Sequence, residues 1–228
     1  MFLRRSLDDR RAAAARKAPL GPLRDYLEVP FSDPRTDFRQ GRYLAIDLEL
    51  TGLDAGRDEI LSIGYVPIDG RDLVMAGAAH ILLSPSGEVG QSASIHRLTD
   101  DHLAGGLPLE QAMPIVLKAL AGRTLVAHHA AIEVGFLSVA CQRLYGAPLI
   151  VPAIDTMGLQ RRVLRTGPSA GVQPGSMRLQ GARDHFGLPR YRAHEALTDA
   201  IAAGELFLAQ AADLAGGSGI SLKALSRS

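Results

Sequence analysis

Two carboxylates separated by a single residue, Asp47 and Glu49, lie within the otherwise apolar segment 43–50. Because the side chains of a β-strand alternate between its two faces, this spacing predicts that both carboxylates share one face. Neighbouring negative charges on an apolar strand are costly unless a cation lies between them, and Mg²⁺ and Mn²⁺ prefer oxygen ligands. The pair therefore indicates a divalent metal site. The alternative is an edge strand whose polar face meets water.

The residues that directly follow this pair, Thr51, Gly52 and Leu53, are suited to contact a ligand. A glycine allows another molecule to approach the backbone closely. Ligands of α/β proteins also tend to bind at the ends of strands. The segment therefore strengthens the interpretation of the carboxylate pair as part of a binding site.

A histidine and a third carboxylate, His194 and Asp199, stand five residues apart. On a regular helix this spacing separates two side chains by about 140°. Both face one site only if His194 precedes the helix and Asp199 lies one turn inside it. An imidazole near a metal-bound water can then act as a general base at neutral pH. The alternative for His194 is a surface position at the start of a helix.

The elements that must position these residues alternate between strands and helices, which is typical of an α/β fold with a central sheet. Three consecutive strands joined by turn-forming residues are expected to form an antiparallel meander: 43–50, 60–68 and 73–83. A short inner strand is expected at 124–127. Helices are predicted at 6–18, 109–121, 131–144, 178–186 and 194–213.

Four stretches, in this order, resemble the motifs of the DEDDh family of 3′ to 5′ exonucleases: residues 46–53, 95–100, 126–137 and 194–199. This DnaQ-like family includes the epsilon proofreading subunit of bacterial DNA polymerase III, RNase T and oligoribonuclease, and the epsilon-like branch is the most similar. The resemblance implies a ribonuclease H-like α/β fold with a mixed five-stranded sheet flanked by helices. It also implies an enzyme that releases nucleoside 5′-monophosphates from a 3′ end.

The resemblance further implies that four carboxylates hold two Mg²⁺ or Mn²⁺ ions: Asp47, Glu49, Glu133 and Asp199. His194 would complete the catalytic set by deprotonating the attacking water. The implied substrate-binding positions are Leu50, Thr51, Gly52, Leu53 and His96.

The third stretch departs from the family, because Glu133 stands where an aspartate is usual. His129 and Ile132 likewise replace an asparagine and a phenylalanine. A glutamate is longer by one carbon bond, about 1.5 Å, whereas the two ions of such sites lie only about 3.5 to 4 Å apart. Glu133 is interpreted as a ligand, directly or through water. Two alternatives stay open, a catalytically weakened module that binds 3′ ends and a polymerase accessory subunit.

The chain of 228 residues is predicted to have three parts. Residues 1–41 form a basic helical extension with a proline-containing connector, 42–213 the DEDDh exonuclease domain, and 214–228 a C-terminal tail. Residues 1–24 hold seven basic and two acidic side chains, which favours either phosphate binding or a solvated tail.

The expected partner is a nucleic acid 3′ end, with DNA favoured and RNA left open. No apolar run approaches the roughly 20 residues that span a bilayer, so a cytoplasmic protein without membrane contact is expected. No glutamine-led apolar motif supports association with a polymerase or a sliding clamp.

Overall fold

The structure, a computed structural model, describes residues 6–84, 105–166, 174–192 and 194–226. Within these ranges the strands form one mixed six-stranded sheet. The strands are β1 Arg42–Leu50, β2 Ile60–Asp69, β3 Asp72–Leu73, β4 Ala79–Leu82, β5 Thr124–Ala127 and β6 Ala153–Asp155. The helices are α1 Leu7–Ala15, α2 Pro22–Glu28, α3 Leu109–Leu120, α4 Ala131–Tyr145, α5 Thr156–Thr166, α6 Leu179–His185, α7 Ala196–Ala215 and α8 Leu222–Leu225.

The sheet has the order β3-β2-β1-β5-β6, and β4 also pairs with β2. Strand β2 is antiparallel to its neighbours, whereas β1, β5 and β6 run parallel to one another. The predicted α/β fold with a mixed sheet is thereby confirmed. No helix in the described part of the chain is long and apolar enough to cross a membrane.

The sheet has six strands in the described ranges instead of the predicted five, because the expected strand at 73–83 is divided. Pro67 on β2 has no N–H with which to continue the ladder. Its carbonyl accepts the N–H of Val74, and the chain then turns through Met75–Gly77 before it rejoins β2 as β4. Strand β6, with three residues, is too short for its sequence to predict it.

The two faces of β1 contribute to different cores, as its alternating pattern predicts. Leu44, Ile46, Leu48 and Leu50 pack beneath the helical layer that contains α3 and α4. Tyr43 and Ala45 belong to the core on the opposite face, together with Phe207 of α7. The carboxylates of Asp47 and Glu49 continue this second face toward the C-terminal end of the strand.

Segments at both ends of the chain contribute buried side chains to these cores. The predicted short helix near the N-terminus is present as α1, and Leu23, Tyr26 and Leu27 of α2 are buried in the first core. Leu222 and Leu225 of α8 are buried in the second core. The division into three parts stays a prediction.

Candidate active site

Three carboxylates converge at the C-terminal end of β1. Asp47 and Glu49 come from the strand, and Asp199 comes from the first turn of α7. One carboxylate oxygen from each residue lies within 4.8 Å of the others. The convergence of the strand pair with the distant aspartate, which the sequence predicts, is therefore present.

A glycine on the neighbouring strand brings the third carboxylate to the first two. Gly64 lies directly opposite Asp47 in the β1–β2 register. A Cβ atom at Gly64 would overlap the backbone of Ala196 and Leu197, so the first residues of α7 lie against the strand itself. This direct backbone contact places Asp199, one turn further along the helix, beside the strand carboxylates.

The cluster concentrates negative charge in a buried setting. Burial raises the pKa of Asp47 well above its usual range, and the charges of Glu133, Asp199 and Glu49 raise it further. Burial and the charge of Asp199 raise the pKa of Glu49 to about 7. Burial likewise raises the pKa of Asp199, although the backbone N–H of His194 opposes this shift. The cluster therefore has a strong electrostatic demand for a cation.

Glu133 lies in the first turn of α4 and is buried, with 4% of its surface exposed. It is not one of the three carboxylates within 4.8 Å of one another, yet its charge acts on Asp47. Burial raises the pKa of Glu133 to about 8, and the charge of Asp155 adds to this increase. Among the described residues, Glu133 Oε2 has no hydrogen-bond partner. A buried oxygen of this kind is available to a ligand.

His194 precedes α7, as the spacing of its motif requires. Glu195 is the N-cap of the helix, and His194 is an exposed residue with a left-handed backbone, at a φ of 70°. Its backbone N–H donates to Asp199 Oδ2 at 2.9 Å. The non-helical conformation of His194 therefore brings its backbone to the cluster and leaves its side chain accessible.

The predicted substrate positions differ in their surroundings. Leu50 is 8% exposed and packs in the first core, so its side chain is not accessible to a substrate. A Cβ atom at Gly52 would overlap the carboxylate of Asp58. This contact within the protein is enough to require glycine here, so no bound ligand is needed to explain it. Leu53, in contrast, is 78% exposed beside the carboxylates' strand. His96 lies outside the described residues.

Thr51 fixes the loop that follows β1. Its backbone N–H donates to Glu59 O at 3.0 Å, and its hydroxyl accepts the N–H of Glu59 at 2.9 Å. These bonds close the loop from Thr51 to Glu59 on itself, so Leu53 is presented on a defined turn.

Asp155 is a carboxylate at this end of the sheet that lies outside the four sequence motifs. It terminates β6 and accepts the backbone N–H groups of His129 and Met157 at 2.8 and 3.0 Å. The available signal was an aspartate directly after the short apolar segment 149–154. His128 is held by Thr156 and the Met177 carbonyl, which favours a structural role over metal binding.

The mixed sheet carries a carboxylate cluster at the end of its central strand β1, and this donor set suits a divalent metal ion. The chain belongs to the RNase T exonuclease family, which it matches over residues 44–207. The predicted DnaQ-like family is thereby confirmed.

The relatives include long polymerases. The PolC-type DNA polymerase III of Thermotoga maritima is 32% identical over 178 residues, which are 78% of this chain and 12% of the polymerase. The corresponding protein of Streptococcus suis is 27% identical and covers 79% of this chain and 13% of its own length. This chain therefore spans about an eighth of these relatives.

Solved structures share the fold at low sequence identity. E. coli exonuclease I in complex with a dT13 oligonucleotide has a TM-score of 0.65 at 15% identity. The match covers 76% of this chain and 41% of the exonuclease I chain. Cell-death related nuclease 4 has a TM-score of 0.64 at 12% identity. The match covers 81% of this chain and 68% of the nuclease chain.

Proposed function

We propose that this chain is a metal-dependent 3′ to 5′ exonuclease that releases nucleoside 5′-monophosphates, with DNA as the favoured substrate. The observation that carries the proposal is the set of three carboxylate oxygens within 4.8 Å of one another, two of them from β1 and one from α7. Membership of an exonuclease family and similarity to PolC-type DNA polymerases support the choice of reaction and substrate.

The donor set fits divalent cations. Asp47, Glu49 and Asp199 offer clustered carboxylate oxygens, and Glu133 offers a buried oxygen without a partner among the described residues. Oxygen donors of this type suit Mg²⁺ or Mn²⁺. Four ionised carboxylates would balance the charge of two divalent ions. The chemistry that such ions supply is a lower pKa for a water molecule and positive charge opposite the leaving 3′ oxygen.

The protein's own residues would activate the water and hold the strand end. His194, exposed and held at its backbone by Asp199, would take the proton of the attacking water. Leu53, exposed on the closed turn after β1, would contact the terminal base. Thr51 and Gly52 would meet the terminal nucleotide through their backbone.

A second candidate function is a module that binds 3′ ends without turnover. The observation that favours it is the position of Glu133 outside the set of three clustered carboxylates, at the point where the family usually has the shorter aspartate. In that case one ion would bind weakly and hydrolysis would be slow. A polymerase accessory role stays an open alternative, and the cytoplasmic location stays a prediction.

A single-stranded DNA labelled at its 5′ end, incubated with the protein and Mn²⁺, tests the proposed function. An exonuclease gives a ladder of shortened labelled strands and free nucleoside 5′-monophosphates, whereas a binding module retards the strand in a gel and leaves its length unchanged. A strand blocked at its 3′ hydroxyl is the matched control, because it should resist degradation. A matched RNA strand compares the two sugars, since only pocket contacts sense the 2′-hydroxyl.

A further inference from the structure

A buried arginine connects two helices to the chain segment that leads to His194. Arg183 on α6 is fully buried, and its guanidinium donates to the carbonyl oxygens of Ala202 and Pro189 at 2.7 and 2.8 Å. It also forms a 2.8 Å ion pair with Glu205 of α7. A buried charge is tolerated only when it is paired and hydrogen-bonded in this way. These bonds therefore fix Pro189 relative to α7.

Tyr191 covers the same guanidinium from the solvent side. Its hydroxyl donates to Glu205 Oε1 at 2.9 Å, and Arg183 Cζ lies 4.7 Å from the centre of its ring. The cation–π contact and the hydrogen bond together hold a side chain that is 38% exposed. We name Arg183, Glu205 and Tyr191 the arginine anchor.

The arginine anchor ends three residues before His194. After His194 the chain enters α7 at Ala196. The backbone N–H of His194 donates a hydrogen bond to Asp199 in the first turn of this helix. Tyr191, three residues before His194, and Asp199, five residues after it, are thus both held by hydrogen bonds. Arg190, between the anchored Pro189 and Tyr191, adds only an exposed ion pair with Asp184, which contributes little to the position.

We propose that the arginine anchor sets the position of the His194 imidazole relative to the carboxylate cluster, so that Arg183, Glu205 and Tyr191 are positioning residues for proton transfer. The inference rests on the proposed function, in which His194 accepts the proton of the attacking water. Proton transfer requires hydrogen-bond distance, and a misplacement of about 1 Å is enough to slow a reaction by as much as a hundredfold.

Tyr191→Phe is the most selective test, because it removes one hydroxyl and keeps both the ring over Arg183 and the buried ion pair. We expect kcat for Mn²⁺-dependent nucleotide release to fall about tenfold, with KM for the oligonucleotide and the Mn²⁺ requirement within twofold of the unmodified protein. Wild-type kcat, or a rise in KM with unchanged kcat, would overturn the inference.

Tyr26→Phe is the matched control. It removes the hydroxyl of Tyr26 on α2, which donates a 2.8 Å hydrogen bond to Ile150 O. We expect kcat of this variant to stay at the wild-type value. An equal fall of kcat in both variants would mean that lost stability, rather than the position of His194, is the cause, and would overturn the inference.

A double-mutant cycle with His194→Ala separates positioning from a general structural effect. Once the imidazole is absent, Tyr191→Phe should lower kcat by less than twofold. A further tenfold loss in the His194→Ala background would overturn the role of the arginine anchor and leave the proposed function standing. If His194→Ala alone keeps the wild-type kcat, His194 is not the general base that the proposed function requires. The arginine anchor then cannot act by positioning it.

Discussion

Asp47 on β1 and Gly64 on β2 lie directly opposite each other in the antiparallel register, and α7 begins against the backbone of Gly64. The glycine therefore determines how close Asp199 comes to Asp47. The carboxylate cluster depends on this absence of a side chain as much as on the acidic residues themselves.

Gly64→Ala should disrupt the cluster without changing any carboxylate. The added Cβ would overlap the carbonyl of Ala196, so α7 must shift away from β2. We expect a lower melting temperature and weaker Mn²⁺ binding, measured by thermal unfolding and metal titration.

Gly135→Ala is the control for this change, because it lies inside α4 with open space around its added Cβ. Alanine stabilises a helix interior by about 0.5 to 1 kcal/mol relative to glycine. The melting temperature of this variant should not fall. Equal Mn²⁺ affinity in Gly64→Ala and the unmodified protein would contradict the role of Gly64.

The stability of the metal-free protein should fall as pH rises from about 5 to 9. The pKa of Glu49 is raised to about 7 and that of Glu133 to about 8, from an ordinary value of 4.5. The folded state thus keeps protons that the unfolded state has already released. This contribution to stability is complete below pH 4.5 and is lost as pH passes through the two raised values.

Thermal unfolding at several pH values, with a chelator and then with saturating Mn²⁺, measures this dependence. Metal should reduce it, because a bound cation offsets the repulsion between the ionised carboxylates. Glu133→Gln should reduce the slope in the chelator series only. If the stability of the metal-free protein is constant or rises over this range, ionisation of Glu49 and Glu133 does not destabilise the folded state.

Glu133→Asp should change metal affinity or the preference between Mg²⁺ and Mn²⁺. The substitution shortens the side chain by one carbon bond, about 1.5 Å, and restores the residue that is usual in the family. Calorimetric titration with each ion checks the effect. Glu110→Asp, on the separate helix α3, is the control and should leave both titrations unchanged. If Glu133→Asp also leaves them unchanged, Glu133 is not a metal ligand.

The local geometry of the site could be predicted from the sequence because it follows from short-range periodicity. The alternation of β1 separates Leu44, Ile46, Leu48 and Leu50 from the carboxylate face. The spacing of His194 and Asp199 likewise predicts a histidine before the helix, and His194 indeed has a non-helical backbone. In both cases neighbouring residues along the chain contain the information.

The long-range features could not be predicted in the same way. Nothing near Gly64 in the sequence indicates that α7 will contact it, since the two are brought together only by the complete sheet. The division of the expected third strand depends on Pro67 of a different strand. The ion pair between Arg183 and Glu205 also joins α6 to α7, whose relative position is a property of the whole fold.

Asp47→Asn, compared with Asp213→Asn, tests the central claim most directly. Both substitutions remove one carboxylate charge, but Asp213 is exposed and lies about 21 Å along α7 from Asp199. Release of nucleoside 5′-monophosphates from single-stranded DNA and Mn²⁺ binding are measured on both variants. We expect Asp47→Asn to lose nucleotide release and tight Mn²⁺ binding while remaining folded, and Asp213→Asn to match the unmodified protein. Undiminished nucleotide release by Asp47→Asn would contradict the proposed metal site.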